Sequence, residues 1–156
     1  MKSAEFGTVS HGTLRTEDLI DAFADELEWQ IQRNGDHFSM PEHFAARDRL
    51  NALVHDAREW TPESNEDGDE FVNELADALD EFAPPYAYFG AHIGDGSDFG
   101  FWVSEDALQD FDGLRVSDLS EVPADYNGEV LHVNDHGNAS LYVAQNDKFR
   151  EVWALV

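Results

Sequence analysis

Three constellations in the sequence carry side chains that could do chemistry. His132, Asp135 and His136 form an H-x-x-D-H spacing, and imidazole with carboxylate suits zinc or another divalent metal. The same spacing spans an expected hairpin turn, where Asp, His, Gly and Asn serve backbone geometry. The run Gly94-Asp95-Gly96-Ser97-Asp98 groups oxygens as a hard cation requires, but it lacks the length and distal Glu of an EF-hand. A polar turn between aromatic strands explains it better. His11 and His92 would make an acid–base site with Asp95 and Asp98 if the fold brought them together. There is no Gly-rich phosphate loop, nucleophile elbow or zincin motif. The absence of cysteine excludes disulfides, thiolate metal sites and a Cys nucleophile. The expectation is a non-enzymatic protein with no cofactor and no metal. A small metal-dependent enzyme using the His and Asp clusters remains an alternative.

The acidic residues form a stronger pattern. At about 100° per residue, Glu66, Glu70, Glu74, Asp77 and Glu81 fall on one stripe of a predicted helix, provided its first turn begins early enough to include Glu66. Neighbours in the stripe are three or four positions apart, about 5–6 Å between Cβ atoms. Phosphates along one DNA strand are spaced comparably, a few ångströms further apart. Glu17, Asp18, Asp21, Asp25 and Glu28 share a sector of an earlier predicted helix. Like charges at i and i+4 cost an isolated helix roughly 0.2–0.5 kcal/mol per pair, so the stripes are not built for local pairing. The plain reading is a solvated face. The functional one is a partner-binding surface comprising the first stripe with Glu17, Asp21, Asp25, Glu28 and Trp29. Trp29 lies near the acidic sector and away from the apolar face, as an interface anchor would; packing under the N-terminal segment or on the sheet is the competing explanation.

Three helices must position these groups. Leu19, Ile20, Phe23, Leu27 and Ile31 recur at helical spacing over 16–33, with Thr16 as the expected N-cap. A second helix is predicted over 41–60, with Leu50, Leu53, Val54 and Ala57 inward, Pro41 in its first turn and Thr61-Pro62 breaking it. Its Arg47, Arg49 and Arg58 are placed to neutralise neighbouring acids internally, which sets this helix between or beside the acidic ones. A third spans 69–82, burying Phe71, Val72, Leu75, Ala78, Leu79 and Phe82, and Pro84-Pro85 stops it. Strands are expected over 86–92, 99–103, 129–134, 139–144 and 151–155, with turn chemistry over 93–98 and 135–138. Residues 6–14 read as a loop with at most a short strand, and 104–125 as an acidic stretch with a helical turn at 105–111. The fold class expected is α+β: three N-terminal helices (about 16–82) packed on a C-terminal antiparallel sheet of about five strands (about 86–156), in a single domain over 1–156.

Charge bounds the partners. Thirty-four Asp and Glu face nine Lys and Arg, a formal net charge of −25 on 156 residues. Self-repulsion of that size works against a compact fold and needs a reason. Hydrophobic residues at 42% and aromatics at 12% set the chain apart from acidic disordered tails. Direct binding of nucleic acid or an anionic membrane is disfavoured by repulsion, and a basic partner is favoured. Only two lysines occur, and Asp outnumbers Glu nineteen to fifteen, which also suits a halophile's solvating surface around an unrelated function. Neither a membrane span nor a signal-peptide apolar region is found in the sequence, so the expected location is cytoplasmic.

Two segments, Val9 to Ile20 (VSHGTLRTEDLI) and Pro84 to Trp102 (PPYAYFGAHIGDGSDFGFW), resemble an uncharacterised group of small acidic proteins encoded by phages of actinobacteria. With the C-terminal hairpin the likeness covers about two-thirds of the chain. The group has no established activity, so no functional residue is carried over. The resemblance implies a phage setting, in which a small acidic protein counters host defence or modifies a host nucleic-acid enzyme. The leading expectation is a mimic of nucleic-acid charge that occupies the basic, nucleic-acid-binding surface of a host protein.

Overall fold

A computed structural model describes residues 1–155. The protein is α+β, and its strands form two sheets instead of the single five-stranded sheet expected. Contacts divide the chain into two compact units, one of Met1–Ala83 with Ala87–Val103 and the other of Pro84–Tyr86 with Ser104 onward.

In the first unit, β1 (Gly7–His11), β3 (Asp95–Val103) and β2 (Ala87–His92) form an antiparallel sheet in that order. Residues 6–14, read from sequence mainly as a loop, thus contribute a strand. The expected turn over 93–98 shrinks to Ile93-Gly94, because Asp95–Asp98 extend β3. Four helices accompany the sheet: α1 (Thr16–Arg33), α2 (Gly35–Phe38), α3 (Phe44–Glu59) and α4 (Gly68–Asp80). The helix expected over 41–60 is preceded by a 3-10 turn at Pro41–His43. Thr16 is not the N-cap of α1. Arg15 holds that position, and the Thr16 hydroxyl donates to Asp69 at 2.9 Å, tying the starts of α1 and α4 together.

One aromatic cluster explains why β2 and β3 belong with the helices. Phe23, fully buried on α1, meets Phe89 of β2 and Phe99 of β3 edge-on at 5.0 and 5.5 Å, and Phe89 meets Phe101 at 5.0 Å. Leu27, Leu50, Leu75, Leu79 and Phe82 complete that core. The buried side chain of Asn34 bonds Lys2 on both its backbone groups and fixes the N-terminal segment. At the α2 end, the rings of His37 and His43 stack with centroids 3.7 Å apart.

The second unit holds α5 (Glu105–Gln109) and a sheet ordered β4 (Leu114–Val116), β5 (Gly128–Val133), β6 (Ala139–Gln145) and β7 (Lys148–Ala154). β4 is short, lies in the acidic stretch 104–125 where no strand was expected, and runs parallel to β5. The remaining pairs are antiparallel. Val116, Val130 and Ala144 form a separate small core, with Leu114, Leu119, Val122, Tyr126 and Tyr142 packed against it. Asn146 and Asp147, both at positive φ, make the two-residue turn into β7. Tyr86, also at positive φ, donates a 2.5 Å hydrogen bond to Glu129, which first among the causes pushes the phenol up to about 12.

Candidate functional site

The α4 stripe is positioned from both ends. Asp67 caps the helix by accepting from the Asp69 backbone N–H. Gly68 lies beneath the Trp60 ring, where a β-carbon would come within 2.4 Å of it. The Trp60 indole N–H donates to the Glu66 carbonyl at 3.0 Å. At the other end, Asp80 accepts from the Phe89 backbone N–H at 2.7 Å, fastening α4 to the sheet. Leu75, Ala78 and Leu79 face the core. The opposite side therefore turns Glu70, Glu74, Asp77 and Glu81 to solvent over about 16 Å of helix. Glu66 is exposed but lies in the loop before the cap, so it does not extend the stripe as a helical residue.

Two arginines of α3 set how much of this charge is free. Arg49 donates to both carboxylate oxygens of Glu81, at 2.8 and 2.9 Å. Arg58 bridges Asp25 at 2.9 Å and Glu28 at 2.8 Å on α1. Those carboxylates, Asp25 first, raise the Arg58 pKa further, against the opposing effect of burial. Arg47 meets its neighbour Asp48 and lies over the Phe44 ring at 4.6 Å. Arg49 and Arg58 are nine residues apart, roughly 180° around α3. The acids they reach, on α4 and on α1, are thus held from two different sides of α3.

Among the expected partner-binding residues, Glu70, Glu74, Asp77 and Asp21 are exposed and have no ion-pair partner among the described residues. Glu17 lies 3.6 Å from Arg15. Trp29 is 56% exposed. Between α3 and α4 runs an open groove of about 440 Å³. Leu53 and Phe71, both half-buried, supply apolar surface to it, and Asp56, Glu74 and Asp77 carry its charge beside the Arg49–Glu81 pair. Asp56 was not singled out in the sequence. The signal for it was the spacing of Arg49, Ala52, Leu53 and Asp56 along one side of a helix.

No protein-family model matches the chain, and no curated protein or solved structure matches it.

The His and Asp constellations come together only in part. His11 Nε2 lies 3.1 Å from Asp95, whose carboxylate also accepts from the Ser97 backbone N–H and hydroxyl. Those bonds, the Ser97 backbone first, hold the Asp95 carboxyl below its usual range. His92 packs edge-on against Trp102 and accepts from the Gly94 N–H. Asp98 pairs with His11 in strand register, and its Oδ1 is buried without a hydrogen-bond partner among the described residues. His132 reaches the Ser117 carbonyl at 3.1 Å, while Asp135 and His136 sit exposed on a turn organised by the Asn134 side chain. Among the described residues, no three His, Asp or Glu side chains converge as a metal cage. None of the helices there is long and apolar enough to cross a membrane.

Proposed function

We propose that this chain is a non-enzymatic binding protein of phage type that presents acidic side chains to the basic, nucleic-acid-binding surface of a host protein. It acts in the host cytoplasm, in an anti-defence or host-takeover role. The observation that carries this reading is the row Glu70, Glu74 and Asp77: exposed, aligned on a helix anchored at both ends, and free of ion-pair partners among the described residues. A row of fixed carboxylates can stand in for phosphates in a cationic groove, and attraction of that kind speeds encounter and discriminates against acidic partners. The α1 acids play a lesser part, since Arg58 already engages Asp25 and Glu28 and offsets one of their two charges. Trp29 supplies an exposed aromatic near them.

The test is capture from a bacterial host lysate at about 0.15 M salt, beside an unrelated protein of equal net charge. The captured protein is identified and challenged with duplex DNA. The expected result is a nucleic-acid-binding protein that DNA and this chain bind in competition. Lysine at positions 70, 74, 77 and 81 in place of the acids should abolish the capture with the fold intact. Capture that survives this reversal, or that DNA fails to compete with, overturns the reading.

A further inference from the structure

Charge alone does not account for the groove between α3 and α4. A phosphate mimic needs only carboxylates, yet this surface sets the half-buried apolar side chains of Leu53 and Phe71 beside Asp56, Glu74 and Asp77. Its volume of about 440 Å³ falls within the roughly 300–1,000 Å³ of ligand-binding clefts. Arg49 is already held by Glu81, so the free charge in the groove is negative throughout.

The chemistry of the occupant follows from these features. The walls are two helices whose backbone groups are paired within themselves, so the groove offers an incoming chain no ladder of hydrogen bonds. A chain that buries apolar side chains there must satisfy its own backbone, and a helix does so. The carboxylates select Lys or Arg at the edges of that helix. A second copy of this chain is a poor occupant, because each copy carries a net charge of −25.

We infer that the α3–α4 groove receives an amphipathic, cationic helix of a partner protein, with apolar residues on Leu53 and Phe71 and basic residues against Asp56, Glu74 and Asp77. This rests on the proposed function, and it adds that recognition is by helix insertion as well as by charge.

Three synthetic peptides of equal net charge separate the two claims: an amphipathic Leu/Lys helix with Leu at i, i+3, i+4 and i+7, a scramble of it, and oligolysine. Binding is read by fluorescence anisotropy at about 0.15 M salt, with wild type and Ala52→Arg, a substitution at an exposed groove position whose fold is verified by circular dichroism. The amphipathic helix should bind at least about tenfold tighter than both controls, and Ala52→Arg should remove that advantage. Equal binding of all three peptides, or an advantage that survives Ala52→Arg, overturns the groove inference while leaving the acidic-surface reading in place. Absence of all binding overturns the inference too; competition with DNA for a captured host protein then decides the parent reading separately.

Discussion

Arg49 holds both oxygens of Glu81 and so withdraws the last acid of the α4 stripe from the free surface. The pair is roughly half exposed on each side, and exposed ion pairs contribute about 0–1 kcal/mol. Arg49→Ala should therefore change unfolding free energy by less than about 1 kcal/mol in urea titrations. The same variant frees Glu81, and its association with a cationic partner should be faster at low salt than that of the wild type. A slower association would mean that Arg49 itself contacts the partner.

Gly100 allows β1 to lie against β3. A β-carbon there would sit 2.0 Å from the Gly7 carbonyl oxygen and 2.8 Å from its carbon, and backbone cannot swing aside as a flexible side chain can. Gly100→Ala should destabilise the protein by at least about 1–3 kcal/mol. Urea unfolding measures the loss, and hydrogen exchange should place it first in the amides of Gly7–His11.

Acid should loosen the α2 end of the first unit. The partly buried His37 ring is held below the ordinary histidine range by burial first, then by stacked His43 and the amino terminus, with Glu42 opposing. The unfolded chain therefore takes up this proton at a higher pH than the folded one, near 6.5. Stability is unaffected by this group above that pH. It falls as pH drops below it, and levels off once folded His37 is also protonated. His37→Gln should flatten the dependence of the urea midpoint on pH in that window. A second loss belongs to Asp95, whose lowered pKa contributes stability above the usual carboxylate range and forfeits it as pH falls through the folded value.

Low salt tests whether the charge reflects life in brine. The Phe23–Phe89–Phe101 core and the arginine bridges give the first unit contacts of its own. Circular dichroism in about 0.1 M salt should report the folded state, and molar salt should raise the melting temperature without being required. A chain that unfolds at the lower salt would be a halophile's protein, and the acidic stripes would need no partner to explain them.

How much of this could be read from the residues depended on how local the signal was. Both ends of α1 were legible, because Leu19, Ile20, Phe23, Leu27 and Ile31 keep helical spacing to the end. The neutralising role of Arg49 and Arg58 was legible for the same reason, since helical spacing places them outward. Asp95–Asp98 misled because Gly and Asp carry turn chemistry wherever they stand; here Asp95 bonds Ser97 locally while the backbone remains extended. β4 is three residues long and surrounded by acids, too short for alternation to register. The division into two sheets left no trace in any strand, because alternation shows which face is buried but not against what. The groove depends on how α3 meets α4, a tertiary fact that neither helix encodes alone.

The pairing of Gly7 with Phe101 also fixes an order of events. Synthesis delivers β1 first, but its partner strand arrives only after α1, α3 and α4 have been made. Long-range pairing of this kind is slow to form and is rewarded late. Until then the helices have no sheet to cover Phe23, which the finished fold packs against Phe89 and Phe99. A net charge of −25 would by mutual repulsion disfavour aggregation of half-made chains.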